Sequence, residues 1–122
     1  MSDERIDKSA LKRLIAVIGG AFEDFEELRD DYVSGAPDLV EALRTSGAEA
    51  DWSAMRIAAH TLKSNARDFG ATRLAQLCER LEHQCRDGSV DAPQQKIDEI
   101  AAEERASREA LISVSANDVT GD

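Results

Sequence analysis

The sequence predicts an all-α fold: an up-and-down antiparallel four-helix bundle with a short extra N-terminal helix. Only two prolines and seven glycines interrupt the 122 residues, and the long runs between them are rich in good helix formers such as alanine, leucine, glutamate and arginine. Apolar residues in these runs recur at spacings of three and four. The connections between the runs are short, which favours antiparallel neighbours.

The first helix is short and is delimited by a cap and by glycines. Asp7 or Ser9 can cap its N-terminus, and it continues through Ile18 to the pair Gly19-Gly20, which ends it. This segment is the short extra N-terminal helix of the predicted architecture.

The second helix is a long amphipathic run that begins at Ala21 and is interrupted by Pro37. Proline removes a backbone hydrogen bond and clashes with the preceding turn, so either a kink near residues 34–36 or a break into two helices follows. We favour the kink. Gly47 and the small polar residues that follow it to Ala50 are expected to form the next connection.

The third helix carries the clearest periodic signal in the chain. Asp51 is its expected N-cap, and Gly70 is its expected left-handed end. Its apolar positions alternate between spacings of three and four, as in the seam of a bundle: Trp52, Met55, Ala59, Leu62, Ala66 and Phe69.

Two further helices complete the bundle. The fourth begins at Ala71 and ends at Asp87-Gly88, and the fifth has Pro93 in its first turn. The fifth helix has the weakest apolar face. Residues 1–112 are therefore predicted to form one bundle domain, and residues 113–122, which have little to bury, are predicted to be a flexible C-terminal tail.

Charge and hydropathy restrict the classes of function. Twenty-five acidic residues against fifteen basic ones give a net charge of −10, which argues against nucleic acid because its binding draws affinity from Lys and Arg. There is no apolar window of about 18 residues and no apolar core of a signal peptide near the N-terminus. A cytoplasmic, monomeric protein without a membrane partner is the expectation.

Cysteines and carboxylates give no sign of a metal or redox site. Cys78 and Cys85 lie two turns apart on one predicted helix, too far for a disulfide, and are expected to be buried thiols. A di-iron bundle places Glu three residues before a ligand histidine, whereas Ile57 precedes His60 and Arg80 precedes His83 at that spacing. We expect no metal and no cofactor in this chain, and His83 is expected to be a surface residue.

His60 lies on the outward side of the third helix, about 130° from the seam. The residues Arg56, Lys63, Ser64 and Arg67 all lie within about 60° of it on the helical wheel. A solvated face with an incidental histidine is the simplest explanation. Neighbouring cations, however, favour the neutral, nucleophilic ring and would suit an anion arriving on a ring nitrogen, where Lys63 could donate hydrogen bonds to it.

The residues around His60 resemble the histidine-containing phosphotransfer (Hpt) domain family of multistep phosphorelays. The family pattern, His-x-Leu-Lys-Gly-x-(small)-x-x-(apolar)-Gly-Ala, is similar to His60, Leu62, Lys63, Ser64, Ala66, Phe69, Gly70 and Ala71. The flanks are also similar over about residues 6–112: Ile6-Asp7, Gly19-Gly20, Asp51-Trp52, Leu77-Cys78 and Leu81-Glu82. The chain departs from the pattern at Ser64, where the family usually has glycine.

The resemblance implies a phosphorelay intermediate. His60 would accept a phosphoryl group from a receiver-domain aspartyl phosphate and pass it to another receiver aspartate, and Lys63 would orient the group. Arg56, Ser64, Arg67 and Phe22 are candidate contacts, although Phe22 is equally suited to the core.

The partners implied are response-regulator receiver domains, with a hybrid histidine kinase as a further candidate. The Mg²⁺ ion would belong to the receiver. No nucleotide-binding loop is present, so no kinase activity of its own is expected. The alternative is a non-catalytic module that docks on a receiver or kinase and modulates signalling.

Overall fold

The computed structural model describes residues 5–120, and this part of the chain contains helices and no strand. The four long helices α2 to α5 form the bundle, in which α3 packs between α2 and α4, and α5 packs against both α2 and α4. The predicted all-α four-helix bundle with a short N-terminal helix is confirmed, and a short sixth helix is added. The helices are α1 (Lys8–Val17), α2 (Phe22–Ala48), α3 (Trp52–Asp68), α4 (Thr72–Arg86), α5 (Pro93–Ile112) and α6 (Ala116–Thr120).

The starts of α1 and α3 follow from side-chain caps in the sequence. The Asp7 carboxylate accepts from the backbone N–H of Ser9, which identifies Asp7 rather than Ser9 as the cap of α1. Asp51 caps α3 in the same way by accepting from the backbone N–H of Ala54. Pro93 occupies the first turn of α5, where its missing N–H costs nothing.

The second helix is continuous through Pro37, so the alternative of two separate helices is wrong. The expected connection at Gly47 is also wrong, because α2 runs on to Ala48 and buries Gly47 in the core. A Cβ atom at this position would lie 2.8 Å from Cδ1 of Ile97 and 3.0 Å from Cε of Met55. Glycine here allows helices to pack closely and does not mark a loop.

The core seam of α3 is the one predicted from the sequence. Trp52 is half-buried, and the other members are buried: Met55, Ala59, Leu62, Ala66 and Phe69. The Phe69 ring stacks on Tyr32 of α2 with 4.8 Å between the ring centroids. Because this side of α3 is used for packing, the opposite stripe is free to face solvent.

The fifth helix has a weak apolar face because it buries carboxylates. Glu103 and Glu104 are both buried and are compensated by ion pairs. Nε of Arg5 lies 3.1 Å from Glu103, and Nε of Arg108 lies 2.8 Å from Glu104. Charged residues therefore occupy core-facing positions of α5, since each charge has a partner.

The segment after α5 folds back onto α1 through α6. Its two valines, Val114 and Val119, are buried, so the expectation that this segment has little to bury is wrong for them. Nζ of Lys8 lies 3.6 Å from Asp118, which adds an ion pair between α1 and α6. The flexibility predicted for residues 113–122 stays a prediction, and residues 121 and 122 lie outside the described part of the chain.

Candidate functional site

His60 lies in α3 with its side chain 57% exposed, as the helical wheel predicts. Its ring is not surrounded by cations alone, however. Nδ1 of His60 lies 2.8 Å from Oε2 of Glu82, which comes from the neighbouring helix α4. The histidine is therefore held on one side by a carboxylate and open to solvent on the other.

Glu82 is the buried centre of this arrangement, with a side chain only 5% exposed. Its second oxygen, Oε1, accepts from Nζ of Lys63 at 2.6 Å. Arg86, one turn further along α4, brings Nη2 to 3.9 Å from Oε2. Burial by itself raises the pKa of the Glu82 carboxyl, but hydrogen bonds from Lys63 and His60 outweigh it and hold that pKa below its usual range.

The ionised carboxylate determines which nitrogen of His60 is free to react. A carboxylate can only accept hydrogen bonds, so Nδ1 of His60 must carry the proton that it shares with Glu82. In the neutral ring the lone pair is then on Nε2, which points away from α4. The site thus presents a ring nitrogen with a lone pair to solvent.

Lys63 makes a contact with Glu82 that the sequence did not predict. Its side chain is only 13% exposed, because its ammonium group is bound to Glu82 instead of extending into solvent. An ammonium group has three N–H donors, and the bond to Glu82 uses one of them. Lys63 therefore neutralises Glu82 and still has donors to offer a group bound near His60.

The remaining predicted contacts fall into two groups. Arg56, Ser64 and Arg67 are exposed on the same stripe as His60, and Nη2 of Arg67 bonds Oε1 of Glu79 at 2.9 Å. Phe22 is instead half-buried at the start of α2, where its ring centroid lies 5.4 Å from that of Phe25. The structure brings the first group to the face of His60 and places the Phe22 ring at the edge of the core.

Glu82 and Arg86 are site residues that the sequence did not reveal. A glutamate one turn from Cys78 and one turn from Cys85, on the apolar side of a helix, was the available signal, because a buried charge requires a partner. That signal indicates a partner without identifying it. The pairing of Glu82 with His60 depends on how α3 and α4 align.

The other titratable groups near α4 are less suited to chemistry. Cys78 and Cys85 are buried free thiols, as predicted, and burial together with the charge of Glu82 raises the pKa of Cys78 to about 12. His83 is exposed, and its Nε2 lies 4.0 Å from Glu79. Within residues 5–120, no three His, Cys, Asp or Glu side chains are grouped to hold a metal ion. No helix in this range is long and apolar enough to cross a bilayer.

Comparison with known proteins points to one family. The family model described as the Hpt domain matches residues 27–110, which include His60, Lys63 and Glu82. The fold is similar to the crystal structure of histidine-containing phosphotransfer protein B (HptB) from Pseudomonas aeruginosa PAO1. The match has a TM-score of 0.82 and 24% sequence identity and covers 91% of this chain and 94% of that one. No curated protein sequence matches the chain.

Proposed function

The chain belongs to the Hpt domain family, the phosphotransfer proteins of two-component signalling, and from this premise we propose a specific role for it. His60 accepts a phosphoryl group from the aspartyl phosphate of one receiver domain and passes it to the aspartate of another. The chain acts as an intermediate and has no kinase activity of its own. The proposed partners are response-regulator receiver domains, with a hybrid histidine kinase as a further candidate that carries such a receiver.

One observation carries this proposal: the exposed ring of His60 is bonded through Nδ1 to buried Glu82. In the step, the Nε2 lone pair attacks phosphorus and the bond between phosphorus and the aspartyl oxygen breaks. The receiver aspartate leaves as a carboxylate, and the imidazole becomes a phosphoimidazolium. The positive charge that forms on the ring lies against the Glu82 carboxylate, so Nδ1 keeps its proton throughout.

The chain contributes position and charge to this transfer. The transition state spreads negative charge over the phosphoryl oxygens and requires in-line alignment of the two partners. Lys63 and the exposed Arg56 and Arg67 supply positive charge on the face where those oxygens arrive. The Mg²⁺ ion and the reactive aspartate belong to the receiver in this proposal, and the chain itself needs no cofactor.

Substitution of His60 by glutamine tests the proposal. His60→Gln should abolish transfer of label from a phosphorylated receiver, because glutamine is polar but has no nucleophilic ring nitrogen. Folding should persist, because the side chain is 57% exposed. The experiment incubates each variant with a panel of radiolabelled, phosphorylated receiver domains from the same genome and detects acid-labile label on this chain.

His83→Gln is the matched control, since His83 is the second histidine and is also 57% exposed. It should accept label at the wild-type rate. Label that persists on His60→Gln and disappears from His83→Gln would move the acceptor to α4. A wild-type chain that binds a receiver tightly but takes no label would support the alternative, a non-catalytic docking module.

A further inference from the structure

Ser64 occupies the side of His60 on which the free nitrogen lies. Glu82 holds Nδ1 of His60 toward α4, so Nε2 faces the other way. On the helical wheel Lys63 lies about 60° from His60 on the α4 side, and Ser64 lies about 40° from it on the opposite side. The other neighbour one turn away on that side is Ile57, which is 60% exposed and has no donor in its side chain.

The Ser64 hydroxyl is available to a ligand. Thr61, on the same helix, donates its hydroxyl to the Ile57 carbonyl at 3.0 Å. Among the hydrogen bonds of residues 5–120, by contrast, none involves the Ser64 hydroxyl, which is exposed. Side chains at positions i and i+4 of a helix lie about 5–6 Å apart at Cβ, and the Cα–Cβ bond tilts toward the N-terminus. The Ser64 side chain therefore leans toward the turn that carries His60.

Lys63, Arg67 and Arg56 are placed less well than Ser64 to contact a phosphoryl group on Nε2 of His60. Lys63 is bound to Glu82 at 2.6 Å on the α4 side, and Arg67 is bound to Glu79 at 2.9 Å. Arg56 lies about 40° from His60, also on the side of Lys63. A phosphoryl group on Nε2 would thus extend toward Ser64, while these cations approach it from the side facing α4.

We propose that the Ser64 hydroxyl donates a hydrogen bond to a phosphoryl oxygen carried by Nε2 of His60. The inference rests on the proposed function and assigns a phosphoryl contact to the position at which the family pattern has glycine. The bond exists only in the phosphorylated protein, because the unmodified histidine has no oxygen there. Ser64 therefore stabilises the phosphorylated form relative to the unmodified form, and it shifts the equilibrium of phosphoryl exchange toward this chain.

The test measures that equilibrium. A receiver with radiolabelled aspartyl phosphate is mixed with the wild-type chain, and the label on each protein is quantified once exchange between them is complete. Ser64→Ala and Ser64→Gly should both lower the equilibrium constant for label on this chain about three- to tenfold, the value of one hydrogen bond. Ser64→Thr retains the hydroxyl and should keep the wild-type equilibrium. Circular dichroism verifies that each variant is folded.

The exchange equilibrium is between free proteins, so it does not depend on how closely they dock. Side-chain bulk at position 64 can therefore change the transfer rate, whereas loss of the hydroxyl changes the equilibrium constant. Wild-type equilibrium in the alanine and glycine variants would overturn the inference. A faster transfer rate in Ser64→Gly with an unchanged equilibrium would make Ser64 a spacer at the interface, which also overturns it. A wild-type chain that takes no label from any receiver overturns both this inference and the proposed function.

Discussion

The carboxylate of Glu82 accepts from Nδ1 of His60 through one oxygen and from Nζ of Lys63 through the other. A buried carboxylate is unfavourable unless it is paired, and here both hydrogen-bond donors come from α3. The same contacts fix the orientation of the histidine ring and withdraw the lysine from solvent. A single side chain on α4 thus positions both residues that the sequence assigned to the chemistry.

The paired state of Glu82 makes a prediction about acid stability. Because the pKa of Glu82 is lowered in the folded protein, its contribution to stability is present above the unfolded pKa, which is near 4.5, and is lost as the pH falls through the folded pKa. In Glu82→Gln this contribution is absent. The free energy of unfolding should therefore fall less steeply below about pH 4.5 than in the wild type. Urea denaturation of both proteins at a series of pH values measures this dependence of the free energy of unfolding on pH.

Glu79→Gln is the matched control for this substitution, because Glu79 lies on the same helix in an ion pair but is 41% exposed. Stability should fall more steeply in acid for Glu79→Gln than for Glu82→Gln, because only the second substitution removes the buried carboxylate. If Glu82→Gln retains the wild-type slope, the carboxylate is not held by His60 and Lys63 in solution. At neutral pH, Glu82→Gln should lower the free energy of unfolding by about 1 kcal/mol, since it weakens the bond to the Lys63 ammonium.

At the scale of elements, the turn between α3 and α4 determines how the two halves of the site align. Gly70 ends α3 with a φ of +75°, and its carbonyl accepts from the backbone N–H of Asp7 at 2.8 Å. A Cβ atom on Gly70 would lie 2.5 Å from the carbonyl oxygen of Asp7. The glycine thus permits both the left-handed turn and the close approach of the segment before α1.

Two glycine substitutions separate these requirements. Gly88 ends α4 with a φ of +95°, but a Cβ atom there would have nothing within 4 Å. Gly88→Ala should cost only the left-handed strain, about 1–2 kcal/mol. Gly70→Ala should cost more, because the backbone of Asp7 must also move. Chemical denaturation of both variants gives the comparison, and equal losses would contradict the close contact with Asp7.

Many of the helix boundaries were predictable because they depend on local sequence. The caps at Asp7 and Asp51 and the left-handed Gly70 act within a few residues, so their types and spacing reveal them. Gly47 was misread because a glycine buried in a helix and a glycine in a loop look alike until the neighbouring helices are placed. The partner of Glu82 was hidden for the same reason: it depends on the register between two helices.

At the scale of the whole molecule, the two ends of the described chain meet at α1. Ile6 and Leu11 are buried near the start, and Val114 and Val119 are buried near the end. All four belong to the same hydrophobic core cluster. The ion pair between Lys8 and Asp118 lies at this meeting point. The short helices α1 and α6 therefore stabilise each other on the outside of the four-helix bundle.

Shortening a buried valine measures how much the packing of α6 against α1 stabilises the protein. Val119→Ala removes buried methyl groups and should lower the free energy of unfolding by about 1–2 kcal/mol. Val17→Ala makes the same change in α1, where the side chain is 82% exposed, and should alter stability by less than about 0.5 kcal/mol. Urea denaturation of the pair tests the packing of α6. Equal effects of the two substitutions would instead favour the flexible tail predicted from the sequence.

The packing of α1 against α6 also has a consequence for the order in which the protein assembles during translation. Helix α1 obtains contacts from residues that lie more than a hundred positions later in the chain, and such long-range contacts form slowly. Helices α2 to α5 depend on one another and can associate earlier. Since α1 and α3 line a common groove that contains Arg13 and Arg67, this surface is complete only once α1 has packed onto the bundle.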